Sequence, residues 1–341
     1  MAFSNTNNCS IIIANDPDAD RLGVAEKRAE GSYENAHPEG SKEFITAGWK
    51  VFTGNEIGTL LGHRQMIKYK TDKQNGVGSG KDAGVLASVV SSRMLKQMAL
   101  VEGIQYFDTL TGFKWIGNKS IELQEKMNME VLFSYEEALG FCVGTVVNDK
   151  DGISGASIFV EMICELQSKS NTNSTTVLQD HLQSLYNKYG EFAAYNSYVI
   201  SHDGAVTDEI FHRLRNSGGH NNQGSGYWTE CAGSKIIGIK DVTMGYDSNN
   251  NTNNTGSDSN SNANADALPT TPDSHMIMYE FENDVSVTLR TSGTEPKIKF
   301  YTEIAGAIGE KREKIEAILH EFVENMVEEM LQPTHHKLGR P

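Results

Sequence analysis

The sequence predicts an α/β chain whose last third turns α+β, on three observations. Apolar runs of strand length alternate with amphipathic helical stretches from Trp49 to about residue 170. Between about 235 and 304, strand-like runs follow one another and lead into one long helix. Ahead of both, two short strands flank the acidic loop Asp16-Pro17-Asp18-Ala19-Asp20-Arg21. A length of 341 residues accommodates two or three domains of ~150 residues each.

The elements follow in order. The run Ile11-Ile12-Ile13 predicts a buried strand over 11–14, and a second strand follows at 21–26. Residues 27–43 are polar and turn-rich. Ile57, Leu60, Leu61 and Ile67 give one apolar side to a helix at 55–69, and 70–84 reads as a polar, Gly-rich loop. A strand at 85–90 precedes a helix capped by Ser91 or Ser92 and stopped at Gly103. The alternation continues with a strand at 104–108, a helix at 115–128, a strand at 131–134 and a helix at 153–168. After an Asn/Ser/Thr-rich break at 170–176 comes a helix at 177–189. The final region has strands at 235–241, 276–282, 285–290 and 298–304, then a helix at 309–330. The Asn/Ser tract at 247–266 lacks the apolar residues to pack and reads as a disordered surface insertion.

Composition narrows the function classes. A formal charge of -15 argues against nucleic acid as a partner, since phosphate backbones call for clustered Lys and Arg. A phosphorylated small molecule needs only a local positive cluster and stays open. Cys9, Cys142, Cys164 and Cys231 are widely spaced, without zinc spacing, as in a reduced cytoplasmic protein. No apolar segment reaches the ~18 residues of a membrane span, and the polar N-terminus does not read as a signal peptide. The expected partners are therefore small molecules, with no nucleic acid and no membrane, on a monomer.

Four segments carry chemistry. In the acidic loop, Asp16, Asp18 and Asp20 alternate, so an extended backbone turns all three toward one point. Their mutual repulsion calls for a cation, and hard oxygen ligands suit Mg²⁺ or Ca²⁺. A calcium EF-hand would place Gly and Glu where Arg21 and Lys27 stand. A phosphatase with Asp16 as nucleophile and a solvated acidic turn are the competing readings. The second segment, Arg290-Thr291-Ser292-Gly293-Thr294-Glu295-Pro296-Lys297, joins a guanidinium, an ammonium, hydroxyls and a glycine amide, all suited to phosphate. The third, Glu136-Glu137-Ala138, puts carboxylates at a strand end, where they can accept bonds from sugar hydroxyls. The fourth is the turn Thr111-Gly112-Phe113-Lys114, whose Gly, hydroxyl and Lys could meet a phosphate or sugar. Three lookalikes are set aside. Gly76 to Asp82 lacks the first Gly and final hydroxyl of a Walker loop; Ser201-His202-Asp203 are consecutive and do not converge as a triad; His335-His336 reads as a flexible tail.

Taken in order, these segments resemble the α-D-phosphohexomutase superfamily. The wording around them is closest to the phosphoglucomutase/phosphopentomutase branch, which includes glucose 1,6-bisphosphate synthase. Gly54-Asn55-Glu56-Ile57-Gly58, Ser91-Ser92-Arg93, Asn148-Asp149-Lys150-Asp151-Gly152 and Leu331-Gln332-Pro333 fit that branch. The resemblance implies a four-domain enzyme with its active site in the cleft. Here it implies the remnant of a second domain at 1–48, with the metal loop, and a complete α/β third domain with a mixed sheet at 49–170. It further implies a connecting helix and linker at 171–205, and an α+β fourth domain with an antiparallel sheet at 206–333.

By resemblance, Asp16, Asp18 and Asp20 bind Mg²⁺, and Arg21 steadies the transferring phosphate. Thr111, Gly112, Lys114, Glu136 and Ala138 hold the sugar. Arg290, Ser292, Gly293, Thr294 and Lys297 grip the other phosphate. The implied reaction interconverts the 1-phosphate and the 5- or 6-phosphate of ribose, deoxyribose or glucose. It passes a phosphoryl group between a phosphoserine and the sugar, with glucose 1,6-bisphosphate or ribose 1,5-bisphosphate as activator. The family's serine loop, Thr-Ala-Ser-His-Asn-Pro, occurs nowhere in these residues. The expectation is a fragment lacking the phosphoserine domain and inactive alone, with a non-catalytic sugar-phosphate binder as the alternative.

Overall fold

The structure, a computed structural model, describes residues 9–28, 48–169, 176–217, 226–249 and 268–341, with positions 1, 4 and 7. Most of the turn-rich stretch at 27–43, of the break at 170–176 and of the tract at 247–266 lies outside these residues. The chain divides into two units, Met1–Tyr189 and Gly190–Pro341.

The first unit opens with an antiparallel sheet of β1 (Ile11–Asn15), β2 (Leu22–Lys27) and β3 (Trp49–Val51), in that spatial order. Asn15 pairs with Leu22, so the acidic loop is the tip of the β1–β2 hairpin. Ile11, Ile12 and Ile13 are half-buried, which corrects the expected buried strand. β1 is an edge strand of this sheet, while central β2 takes the core positions with Leu22, Val24 and Ala25.

The second sheet of this unit is mixed. β4 (Ala83–Ser88) runs parallel to β5 (Gln105–Thr109) and β6 (Glu130–Glu136), and β7 (Gly140–Val143) returns antiparallel to β6. Every β4 residue is buried, as expected of a central parallel strand. The helices are α1 (Gly54–Gln74), α2 (Met94–Glu102), α3 (Phe113–Met127), α4 (Gly152–Lys169) and α5 (Val177–Tyr189). α1 begins at a capping box of Thr53 and Glu56. It runs five residues past the expected end at 69, because no breaker precedes Gly76 and Lys68 pairs with Asp72 at 2.5 Å within it. α2 starts two residues after Ser92, whose Oγ accepts the Met94 N–H at 3.1 Å, and stops at left-handed Gly103.

A glycine stripe sets how closely α1 approaches β6. Gly54, Gly58 and Gly62 recur every four residues and so share one helix face. A Cβ there would lie 2.0 Å from the Glu137 carbonyl oxygen, 2.6 Å from the Tyr135 ring and 2.5 Å from Leu95 Cδ1. The Tyr135 ring cannot easily yield. It packs against both Phe133 and Phe141, with centroids 5.8 and 6.3 Å away, and its hydroxyl donates to the Ser92 carbonyl at 3.2 Å.

The second unit is an antiparallel sheet in the order β11-β10-β12-β13-β14-β8, with β9 on β10. Its strands are β8 (Phe192–Ile200), β9 (Glu230–Cys231), β10 (Ser234–Asp241), β11 (Tyr246–Asp247), β12 (Met276–Phe281), β13 (Val285–Thr291) and β14 (Lys297–Ala305). Against the sheet pack α6 (Gly204–Asn216) and α7 (Arg312–Met326), which continues as a π turn over Val327–Leu331. Ile277, Phe281, Leu289 and Phe300 share one core with Phe211, Leu214, Leu319 and Phe322.

Two expectations are corrected here. The stretch 171–205, read as connecting helix and linker, contains β8, which pairs with β14 along its whole length. Its sequence FAAYNSYVI lacks clean apolar alternation, so the strand is not visible from pattern alone. His335 and His336, read as a flexible tail, lie in α8 (Pro333–His336). Beyond it, Gly339 exchanges backbone hydrogen bonds with Ile200 at 2.7 and 3.1 Å. Asp203, by contrast, is a helix cap, accepting the Ala205 N–H at 2.9 Å, as the rejection of a triad anticipates. No described helix is long and apolar enough to cross a membrane.

Between α1, α2 and α5 lies a half-buried polar cluster. His63 sits 5.6 Å from His181 and 5.9 Å from Tyr189, centroid to centroid. Burial, reinforced by His181 and Lys188, pushes the His63 imidazole down to about 4. Burial alone would raise the neighbouring Glu102 carboxyl, but hydrogen bonds from Lys188, Lys70 and Tyr189 outweigh it and bring it to about 2.

Two outcomes are expected. In Gly58→Ala the gain in helix propensity of at most ~1 kcal/mol is outweighed by overpacking against Tyr135, so urea unfolding shows a net loss of about 1–2 kcal/mol. For His63 the unfolded chain takes up the proton first as pH falls. Its contribution is complete above ~6.5 and is lost between there and about 4. The melting temperature should therefore fall from pH 7 to pH 4.5, and His63→Gln should flatten that fall. Parallel curves for the two proteins would refute it.

Candidate functional site

The hairpin tip of the first unit brings the three aspartates together. Asp16, Asp18 and Asp20 each offer a carboxylate oxygen, and these atoms lie within 4.8 Å of one another. The loop is held by its own backbone: Ala19 is left-handed at φ 61° and donates to the Asp16 carbonyl at 3.0 Å. The Arg21 N–H donates to Asp16 Oδ1 at 3.1 Å, and Asn15 Nδ2 to the Arg21 carbonyl at 2.7 Å.

Helix α4 locks the tip from behind. The Gly152 N–H donates to the Ala19 carbonyl at 3.2 Å. A Cβ at Gly152 would stand 2.4 Å from the Arg21 carbonyl oxygen and 2.5 Å from Asn15 Nδ2, so only glycine allows the helix start to meet the loop. Asp151 caps the same helix, accepting the N–H groups of Ile153 and Ser154 at 3.0 and 2.9 Å.

Two cations face the carboxylates. Arg21 Nε lies 3.8 Å from both Asp16 Oδ2 and Asp20 Oδ1, and Lys150 Nζ lies 3.1 Å from Asp20 Oδ2. Asp20 Oδ1 is buried and has no hydrogen-bond partner. A buried carboxylate oxygen in that state, with two more carboxylates beside it, fits a hard divalent cation. Burial lowers the affinity of Lys150 for its proton, but hydrogen bonding to Asp20 and the charge of Asp149 more than restore it. Lys150 is the residue that motif reading missed. The signal was its place between Asp149 and Asp151, which assigned it no role without the fold.

The two weaker segments join this site. Glu136 is the last residue of β6, half-buried. Burial raises its pKa, opposed by the charges of Lys150 and Arg21 and by a hydrogen bond from the Gly112 backbone. Gly112 stands at φ 102°, a conformation that favours glycine, at the start of α3. Thr111 is half-buried, Lys114 is exposed with its ammonium 5.3 Å from the Trp115 ring, and Ala138 is exposed in the β6–β7 turn. Asp16, Asp18, Asp20, Arg21, Gly112 and Glu136 thus belong to one neighbourhood of the first unit.

The predicted phosphate segment is the β13–β14 turn of the second unit. Ser292 donates its backbone N–H to the Lys297 carbonyl at 2.9 Å, and the Ser201 N–H donates to the Pro296 carbonyl at 2.9 Å. Gly293 and Thr294 are exposed at the tip. Arg290 Nη2 donates to the Tyr301 hydroxyl at 3.3 Å. Lys297 is already engaged: Nζ lies 2.7 Å from Glu295 Oε1 and 4.1 Å from the Tyr198 ring centroid, and the bond to Glu295 raises its pKa. Lys299, 3.7 Å from Glu295, is a further cation of this turn that the motif did not include.

The chain resembles known proteins over nearly all of its length. The family model for the phosphoglucomutase/phosphomannomutase alpha/beta/alpha domain III matches residues 53–189. The chain is 38% identical to human phosphopentomutase over 339 residues, covering 99% of this chain and 49% of that protein. It is 35% identical to human glucose 1,6-bisphosphate synthase, covering 48% of it. It is also 35% identical over 302 residues to the phosphoribomutase of Saccharomyces cerevisiae, covering 43% of it. The chain thus spans about half the length of the curated relatives it matches. Among solved structures, parafusin (phosphoglucomutase) from Paramecium superposes with a TM-score of 0.61 at 15% identity, over 96% of this chain and 46% of that one. Residues 53–189 thus match the phosphoglucomutase/phosphomannomutase domain III family, and nearly the whole chain is similar to about half of the phosphopentomutase and glucose 1,6-bisphosphate synthase relatives.

Proposed function

We propose that the chain supplies the metal-, sugar- and phosphate-binding portions of a sugar-phosphate mutase. Its substrates would be the 1-phosphate and the 5- or 6-phosphate of ribose, deoxyribose or glucose. The observation that carries this reading is the three-aspartate tip, whose Asp20 Oδ1 accepts no hydrogen bond, flanked by Arg21, Lys150 and Glu136. The phosphopentomutase and phosphoribomutase relatives support the sugar-phosphate class. Residues 1–48 would be the end of a second domain, 49–189 a third and 190 onward a fourth, in a cytoplasmic monomer.

Asp16, Asp18 and Asp20 would hold Mg²⁺, which when bound neutralises charge on phosphoryl oxygens. Arg21 places a guanidinium beside that point and steadies a transferring phosphate. Glu136, half-buried and backed by Lys150, accepts a hydrogen bond from a sugar hydroxyl, with the Thr111–Lys114 turn beside it. In the second unit, Arg290, Ser292, Gly293, Thr294 and Lys297 grip the phosphate that is not transferring. Glucose 1,6-bisphosphate or ribose 1,5-bisphosphate would serve as activator. These residues bind and orient, and none of the 341 forms the family's serine loop. The relative that makes glucose 1,6-bisphosphate favours bisphosphate synthesis as the second reading.

Two experiments test this. Titration of the 341-residue chain with Mn²⁺, followed by electron paramagnetic resonance, should show one site, weakened at least tenfold in Asp20→Asn and unchanged in Arg290→Ala. The same chain, given ribose 1-phosphate or glucose 1-phosphate with a trace of bisphosphate, should bind without isomerising them. Turnover above background would show that a phosphoryl carrier exists within these residues.

A further inference from the structure

A cavity of about 560 Å³ opens in the second unit between the 291–297 turn, the β8–α6 connection and the segment leading into β12. One wall is the turn itself, with Thr291, Ser292 and Lys297; the other carries Asp208 and His275. The second wall is acidic, which a bare phosphate ion would not favour.

His275 is held from several sides. Its ring stacks on Phe211 at 4.5 Å and 13°. Its Nδ1 lies 3.1 Å from Arg215 Nη1, and its Nε2 lies 2.9 Å from Asp208 Oδ1. A guanidinium only donates, so Nδ1 accepts, and Nε2 carries the proton that is given to Asp208. Arg215 is clamped in turn by buried Asp241, at 2.6 Å from Nε and 3.3 Å from Nη2, and the Tyr227 hydroxyl donates to Asp241 at 2.9 Å. This row of bonds fixes Asp208 although its side chain is 76% exposed. The His275 carbonyl also accepts the Thr291 N–H at 3.0 Å, tying the acidic wall to the turn.

A carboxylate aimed into the same cavity as an anion-gripping turn suits a ligand that carries hydroxyls as well as a phosphate. We propose that Asp208, oriented by His275, accepts a hydrogen bond from a hydroxyl of the phosphorylated sugar whose phosphate sits in the 290–297 turn, so that the cavity selects sugar phosphates over inorganic phosphate. The inference rests on the phosphate role given to that turn. Oδ2 is the accepting atom, because Oδ1 is taken by His275. His275 acts through Asp208 and is a positioning residue.

Calorimetry on the full 341-residue chain with ribose 5-phosphate and with inorganic phosphate tests this. Loss of one charged hydrogen bond should weaken ribose 5-phosphate about tenfold in Asp208→Ala, with inorganic phosphate unchanged or tighter. His275→Phe keeps the stack on Phe211 but removes both nitrogens, and should behave like Asp208→Ala. His275→Gln keeps a donor near the Nε2 position and should recover most of the discrimination. The proposal is overturned if Asp208→Ala moves both ligands by the same factor or neither, or if His275→Phe leaves the preference intact. Arg290→Ala separates the two levels. Loss of both ligands supports the turn as the phosphate site, and unchanged binding of both refutes that reading itself.

Discussion

Three carboxylates held within 4.8 Å of one another repel strongly, and the first unit is arranged around that repulsion. The hairpin register puts the aspartates at one tip, and the left-handed Ala19 turn keeps them there. Arg21 and Lys150 supply two positive charges from different elements, the hairpin and the start of α4. Neither gives Asp20 Oδ1 a hydrogen bond, so the protein groups leave part of the demand unmet. The divalent cation proposed for this tip would answer both the charge and the unfilled acceptor.

The same constraint explains the glycines. Gly152 lets the α4 start press on the loop, which is how Lys150 comes within 3.1 Å of Asp20. The stripe at Gly54, Gly58 and Gly62 seats α1 on β6, whose last residue is Glu136. Each close approach trades helix propensity for the position of a functional strand end. The second unit meets a similar demand by other means. Its turn is tied by backbone bonds to the end of β8 and the start of β12, and the Asp241–Arg215–His275–Asp208 row runs beside it.

Much of the fold was legible because it rests on local signals. The helix at 177–189 and the four strands of the last region lie within a residue or two of the expected limits. Gly103 in the left-handed conformation ended α2 where the sequence placed a stop. β8 was missed, because FAAYNSYVI owes its strand conformation to β14 rather than to its own pattern. β7, only four residues long, is likewise defined by pairing with β6. The half-burial of Ile11, Ile12 and Ile13 could not be read locally either, since burial depends on what lies across the sheet.

The division within the site follows the same line. The sequence by itself determined which residue types stand at each loop, because alternating aspartates and the Arg290–Lys297 turn are contiguous and declare their chemistry through spacing. Tertiary structure alone decided which distant groups join them. Lys150 and Gly152 reach the acidic tip from some 130 positions away, and Asp208 and His275 line one cavity with the Arg290–Lys297 turn from two separate segments. The physical reason is that ligand chemistry is local to a side chain, whereas charge balance and orientation depend on every group within a few ångströms, wherever the chain brings it from.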